Sequence, residues 1–214
     1  MIAFIPIRSN SKRIINKNIK LLWGKPLCYW SIRAANLSKV VDKIIVATDS
    51  IEYINIIKSF KFKKVKFFKR SDCSSQSNSK TEDVIKEYFF SQKEKSNLFF
   101  LIQVTNPFLK SKDLENAFKT FKKKKYDSML SVVPFNRFLW TKKKPINYNL
   151  SKRPMSQNIE YFLENGSFYI TNKNHILKKG QRLFGKIGMF EMSFETIFEI
   201  DEIEDCKFVN RLNK

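Results

Sequence analysis

The sequence predicts an α/β fold, a mostly parallel twisted sheet with helices on both faces, and three observations carry that prediction. Short runs rich in Ile, Val and Phe alternate with amphipathic helical patterns as far as residue 133. Two of those runs, IAFIPI (2–7) and NLFFLIQV (97–104), are almost uninterruptedly apolar, as befits strands buried on both sides. Polar, cation-rich loops follow several strands directly, and open α/β sheets bind their ligands outside the carboxyl ends of the strands.

Taken in order, IAFIPI is the first strand, and PLCYWSIRAANLSK, opened by Pro26, is the first long helix. KIIVAT (43–48) is a strand, SIEYINIIKSF a helix, and KVKFF (64–68) a strand that alternates apolar with basic residues. TEDVIKEYFFSQK reads as a helix with Thr81 as its N-cap; after NLFFLIQV, SKDLENAFKTFKKKK reads as another with Ser111 as cap. SMLSVV (128–133) closes the regular part. From Pro134 to Leu163 the periodicity disappears, and several aromatics and three prolines suit an arm inserted into one domain spanning 1–214. Such an arm is a candidate contact for a second subunit. Strands resume at SFYI (167–170), KIGMFEM (186–192) and TIFEI (196–200), and a last helix starts at about Glu202.

Composition narrows the function. Lys and Arg number 41 against 20 acids, a net charge of +21, which first suggests a polyanionic partner. The lysines, however, are spread along the chain beside abundant Ile, Asn and Phe, which is a compositional bias and not a patterned nucleic-acid stripe. Cys28, Cys73 and Cys206 lack metal or disulfide spacing and fit a reducing, cytoplasmic setting. No run approaches the roughly 20 apolar residues of a membrane helix, and the start lacks a cationic region ahead of an apolar one. His175, the single histidine, lies in the polar stretch TNKNHILKK, which argues against Ser-His-Asp and Cys-His chemistry.

The first loop holds the densest chemistry. In IPIRSNSKRIINKN (5–18), Arg8, Lys12, Arg13 and Lys17 mix with Ser and Asn and meet no acid. A triphosphate carries about four negative charges and needs such a mixture of cations, hydroxyls and amides. Arg8 suits a bidentate phosphate contact, Lys12 and Lys17 act as point charges, and Ser11 and Asn18 add neutral donors. In a chain this rich in lysine the same loop could be merely solvated. Neither GxxxxGK[ST] nor GxGxxG is present. Near the other end, EID (199–201) offers two carboxylates one residue apart, which in a strand would share a face and could meet one Mg²⁺; an acidic surface turn would read the same way. Asp49 stands at a strand end, where it can cap the next helix.

Together these stretches resemble the acylneuraminate cytidylyltransferases, the CMP-sialic acid synthetases and their relatives, whose loop reads IPARGGSKRxxxKN. GKPL (24–27), ATDS (47–50), Arg70 before a Ser-rich loop, QVTNPFL (103–109), ENGSFYI (164–170), GKIGMFEM (185–192) and EID follow the family's order across almost the whole chain. The resemblance implies a Rossmann-like nucleotide-diphospho-sugar transferase fold with a projecting dimerisation arm over 134–163, hence a homodimer. It also implies a reaction, CTP plus a nine-carbon 2-keto sugar acid giving CMP-sugar and pyrophosphate.

By that resemblance Arg8, Asn10, Ser11, Lys12, Lys17 and Asn18 hold the triphosphate, with Arg8 and Lys17 at the reacting phosphate, while Arg70 and Ser79 sit on the cytidine side. Gln103, Thr105, Asn165, Tyr169 and Phe184 would meet the sugar acid, and Glu199 and Asp201 the Mg²⁺ cofactor. Ser9 and Asn10 replace the family's glycine pair, Glu199 the first Asp of DxD, Leu109 a common Arg, and Met155 or Ser156 an arginine that reaches the partner subunit's sugar; Arg153 is the nearest substitute. ENGSFYI fits the sialic and legionaminic branch more closely than the pseudaminic one. The alternatives are another acid such as a pseudaminate or an octulosonate, a non-catalytic basic nucleic-acid-binding protein, and an inactive homologue.

Overall fold

A computed structural model describes residues 1–9, 11, 13–76 and 79–212. In chain order its elements are β1 (Ile2–Pro6), the short strands β2 (Leu21–Leu22) and β3 (Lys25–Pro26), α1 (Leu27–Leu37), β4 (Lys43–Thr48), α2 (Ile51–Lys58), β5 (Val65–Lys69), α3 (Asp72–Ser75), α4 (Thr81–Ser91) and β6 (Leu98–Ile102). Then come α5 (Ser111–Lys124), β7 (Ser128–Pro134), β8 (Phe162–Asn172), α6 (Lys173–Lys179), β9 (Ile187–Glu191) and α7 (Ile203–Arg211). Seven strands form one sheet in the order β5-β4-β1-β6-β8-β7-β9, parallel at every pairing except the two that β8 makes. The expected mostly parallel α/β sheet is what forms.

Why the central strands read as unbroken apolar runs is visible in their two faces. Ala3 and Ile5 of β1, Ile44 and Val46 of β4, and Phe100 and Ile102 of β6 point into one core, closed by α1, α2 and α5. Their neighbours Ile2, Phe4, Ile45, Ala47, Phe99 and Leu101 point into a second core under α4 and α6. Successive side chains alternate in direction, so a strand covered by helices on both sides must be apolar at every position. A third, smaller cluster of Ile14, Leu22, Leu27, Ile200 and Val209 lies beneath the cation-rich loop and α7. It fastens that loop to residue 200, at the far end of the chain.

Several local expectations are corrected. TIFEI is not a strand: Phe194–Ile197 form a 3-10 turn, with Phe194 and Phe198 four residues apart and their rings in edge contact at 6.1 Å. Residues 199–201 are therefore irregular, and a shared strand face does not explain the pairing of Glu199 with Asp201. Thr81 and Ser111 are the first helical residues and not the caps. Lys80 and Lys110 precede them, and the acids at the third helical position, Asp83 and Asp113, reach back to accept the cap N–H at 2.8 and 2.9 Å. SFYI belongs to an eleven-residue strand, and TNKNHILKK contains α6, started by the Asn172 side chain. His175 sits half-buried there, stacked on Phe184 at 3.9 Å, and not in an open surface stretch.

Residues 135–161 leave at the end of β7 and return into β8, held by the isolated bridges Trp140–Pro145 and Asn149–Lys152. Trp140, Ile146, Leu150 and Met155 are more than half exposed on this arm. Arg153 lies across its own arm's aromatics, 4.3 Å from Phe138 and 5.3 Å from Tyr148. Among the described residues no helix is long and apolar enough to cross a membrane.

Candidate active site

A cleft of about 240 Å³ opens at the carboxyl ends of β1, β5 and β6. Pro6, Arg8, Ser11, Lys17 and Asn18 form the wall that follows β1; Arg70, Ser79 and Thr81 form another, and Gln103, Val104 and Thr105 close it from β6. Residues expected from the sequence to serve nucleotide binding and those of the QVT turn thus meet in one place. Asn10 and Lys12 lie outside the described residues.

The wall after β1 is held by its own amides and by its neighbours. Ile7 continues the strand pairing by donating its N–H to the Ala47 carbonyl at 2.8 Å, and buried Asn18 closes the loop by donating its amide to the Arg8 carbonyl at 2.8 Å. Ser9 gives both its N–H and its hydroxyl to the Asp49 carboxylate, at 2.9 and 2.8 Å. Asp49 is therefore not the cap of α2; Ser50 is, accepting from the Tyr53 N–H. The tether was hidden in the sequence, because the two residues are forty positions apart.

Lys17 is not the bare point charge its loop suggests. Its Nζ donates to the Asp201 carboxylate at 2.9 Å and to the Ile200 carbonyl at 3.1 Å. Arg13 reaches the other Asp201 oxygen at 3.4 Å and Glu202 at 3.2 Å. Burial would raise the Asp201 carboxyl, but the hydrogen bond and charge of Lys17, joined by Arg13, outweigh it and hold the group below the usual range. Glu199 goes the other way. Burial is the main reason it is pushed up to about 7, with the nearby negative charges of Asp201 and Glu164 adding to it against a hydrogen bond from Thr105 at 3.2 Å and the charge of Lys17. Gly166, at φ +57°, faces this carboxylate so closely that a Cβ there would lie 2.6 Å from its oxygen. The positive φ favours glycine here, and a side chain would displace the carboxylate.

Arg70 is buried at 6% exposure, donates to the Ser74 carbonyl, and has its Nε without a hydrogen-bond partner. Burial lowers its pKa; Asp49 opposes that and Arg8 reinforces it. Ser79 spends its hydroxyl hydrogen on the Cys73 carbonyl at 2.6 Å.

The remaining residues expected at a sugar site do not border the cleft. Asn165, 1% exposed, donates to the Thr196 hydroxyl at 2.9 Å and receives the Asn106 amide on its carbonyl at 3.2 Å. Asn106, which the sequence reading passed over, also donates to the Thr196 carbonyl at 2.7 Å, so these two amides stitch the β6 turn to the segment carrying Glu199. Tyr169 is buried, hydrogen-bonded to Glu164 and covered by Arg182 at 4.9 Å; Arg182 in turn pairs with Glu82 at 2.7 Å. Phe184 stacks on His175 beside a separate depression near Tyr126 and Asp127.

A family profile described as cytidylyltransferase matches residues 2–214. N-acylneuraminate cytidylyltransferase A of Danio rerio is 36% identical over 208 residues, covering 93% of this chain and 47% of that protein. CMP-N,N'-diacetyllegionaminic acid synthase of Legionella pneumophila is 30% identical over 190 residues, covering 83% and 80%. The chain spans about half the length of the curated N-acylneuraminate cytidylyltransferases it matches. A solved CMP:2-keto-3-deoxy-manno-octonic acid synthetase complexed with CTP superposes with a TM-score of 0.74 at 15% identity over 99% of this chain and 97% of that one, a likeness of fold.

Proposed function

We propose, on the premise that this chain belongs to the cytidylyltransferase family, that it transfers CMP from CTP to the anomeric hydroxyl of a nine-carbon 2-keto sugar acid of the N-acetylneuraminate or legionaminate type. The observation that carries the reading is the cleft itself: Arg8, Ser11, Lys17 and Asn18 converge with Arg70 on one side and Gln103 and Thr105 on the other. Cations in a partly enclosed space attract a triphosphate, and the β6 turn leaves an adjacent place for an acceptor.

In the reaction the anomeric oxygen attacks the α-phosphorus, the bond from that phosphorus to the bridging oxygen of the β-phosphate breaks, and pyrophosphate leaves with the electron pair. Positioning and charge neutralisation are what such a displacement asks of the protein. Arg8 and Lys17 neutralise the developing charge on the phosphates, for which Lys17 exchanges Asp201 for phosphate oxygen. Ser11 and Asn18 donate to the triphosphate, Arg70 and Ser79 line the nucleoside side, and Gln103 and Thr105 orient the sugar acid.

Glu199 and Asp201 fit a magnesium ion. Both are hard oxygen donors, and Glu199 is a half-buried carboxylate to which, among the described residues, no cation is hydrogen-bonded, and its pKa is raised, the electrostatic situation a divalent ion relieves. When bound, the ion would acidify the attacking hydroxyl and neutralise phosphate charge. Asn165 acts on the sugar site through the β6 turn it holds. The exposed apolar side chains of 134–163 support a homodimer built through the arm, and the three free cysteines support a cytoplasmic setting.

The test is pyrophosphate release from CTP with Mg²⁺ in the presence of N-acetylneuraminic, legionaminic, pseudaminic and octulosonic acids, with ATP, GTP and UTP as controls. CTP-dependent release with a nine-carbon acid is expected. Release that ignores the acid, or none with any acid from folded protein, overturns the proposal.

A further inference from the structure

The family's loop places a glycine pair where this chain has Ser9 and Asn10. Glycines let a loop approach a phosphate because they add no Cβ and accept unusual backbone angles. A loop without them needs another way to stay in place. The structure supplies one at Ser9: its N–H and hydroxyl both end on Asp49, and its carbonyl lies 3.4 Å from the Tyr53 hydroxyl, which lies equally far from the Asn16 side chain. Tyr53 is fully buried, and burial first among its causes pushes its pKa up to about 12, so it remains a neutral hydroxyl able to donate. Asp49 and Tyr53 belong to the junction of β4 with α2, where Thr48 and Tyr53 are fully buried. Asp49 is also the largest favourable charge acting on Arg70, which Arg8 repels. It thus anchors the loop and offsets the repulsion between two arginines that face the same cleft.

We propose that Asp49 is a positioning residue for the triphosphate, acting through Ser9: it fixes the start of the cation-rich loop so that Arg8 and the groups after it meet the nucleotide pre-arranged. The inference rests on the proposed use of CTP. Pre-arrangement lowers the ordering cost paid on binding, so loss of the tether falls on CTP affinity and leaves the sugar acid's KM alone.

The experiment compares wild type with Asp49→Ala, Ser9→Ala and the double variant. Amide exchange at Ser9 in the free protein is read first and is independent of the reaction; Asp49→Ala is expected to speed it at least tenfold. CTP Kd by calorimetry is expected to weaken about tenfold in Asp49→Ala, with Tm lowered by no more than about 4 °C and the sugar acid's KM within twofold of wild type. Ser9→Ala, which keeps the backbone contact, loses part of this, and the double variant matches Asp49→Ala. Unchanged Ser9 exchange, unchanged CTP affinity, or additive losses in the double variant would each overturn the proposal. If Asp49→Ala does not fold, Ser9→Ala and Asp49→Asn carry the same comparison. Failure of the wild type to bind CTP would remove the functional reading, while the exchange measurement would still decide the tether.

Discussion

Glu199→Gln is the substitution that separates a carboxylate waiting for a cation from an ordinary structural acid. Gln keeps the shape and still accepts the Thr105 hydroxyl, so only the titration is removed. In the folded protein burial lifts the Glu199 carboxyl from 4.5 to about 7. Below pH 4.5 the group is protonated in both states and costs nothing; as pH rises from 4.5 to 7 the unfolded chain ionises first, and stability falls to a floor above pH 7. At about 1.4 kcal/mol per pH unit the full penalty is about 3 kcal/mol, or about 2 kcal/mol after allowance for the solvent this half-buried group still meets. Urea unfolding in EDTA is therefore expected to find Glu199→Gln about 2 kcal/mol more stable than wild type at pH 8 and equal to it at pH 4, a Tm difference of about 4–8 °C at the higher pH. Millimolar Mg²⁺ should narrow the gap by stabilising only the wild type. A difference independent of pH, or a loss of stability in the Gln variant at pH 8, would refute the reasoning.

Three further substitutions probe the rest of the account. Lys17→Ala should cost about a hundred- to a thousandfold in kcat, as loss of a donor to developing charge does, while Tm moves little because Asp201 keeps Arg13; a loss under tenfold in steady-state kinetics would remove its role. Asn106→Ala strands the Asn165 and Thr196 carbonyls inside the protein and should destabilise it by about 3 kcal/mol in urea unfolding. Phe4→Ala empties a site between Tyr88 and Phe99 and should cost about 3–5 kcal/mol while the CTP affinity of the folded fraction stays unchanged.

The sheet was legible because its constraint is local: a strand with a helix on each face must be apolar throughout, and β1, β4 and β6 say so residue by residue. TIFEI misled because its short apolar alternation satisfies a strand, yet Phe194 and Phe198 serve equally as neighbours one turn apart. β8 was longer than SFYI because Glu164, Asn165 and Gly166 look like turn residues; Glu164 pairs with Val132, and the irregular pairing between Leu130 and Val132 absorbs Asn165 and Gly166. The helix caps were misplaced by one residue, since an acid at the third position can do the work of a hydroxyl at the cap. In the cleft, Arg8, Ser11, Lys17, Asn18, Arg70, Gln103 and Thr105 were readable from motifs, but their partners were not. The Lys17–Asp201 pair spans 184 positions and the Ser9–Asp49 tether forty, and only folding brings such residues together. Asn165 and Tyr169 carry the right motif yet do not border the cleft, because a conspicuous residue type does not tell which face of a strand it occupies, and Phe184 lies in the irregular segment between α6 and β9.

The most direct measurement is a ³¹P NMR time course of CTP, Mg²⁺ and N-acetylneuraminic or legionaminic acid with the protein. The account predicts that the α-phosphorus signal of CTP converts to that of a CMP-sugar phosphodiester while pyrophosphate appears one for one, and that Lys17→Ala slows both about a hundred- to a thousandfold. Inorganic phosphate with CDP, or unchanged CTP in the presence of each acid, would contradict it.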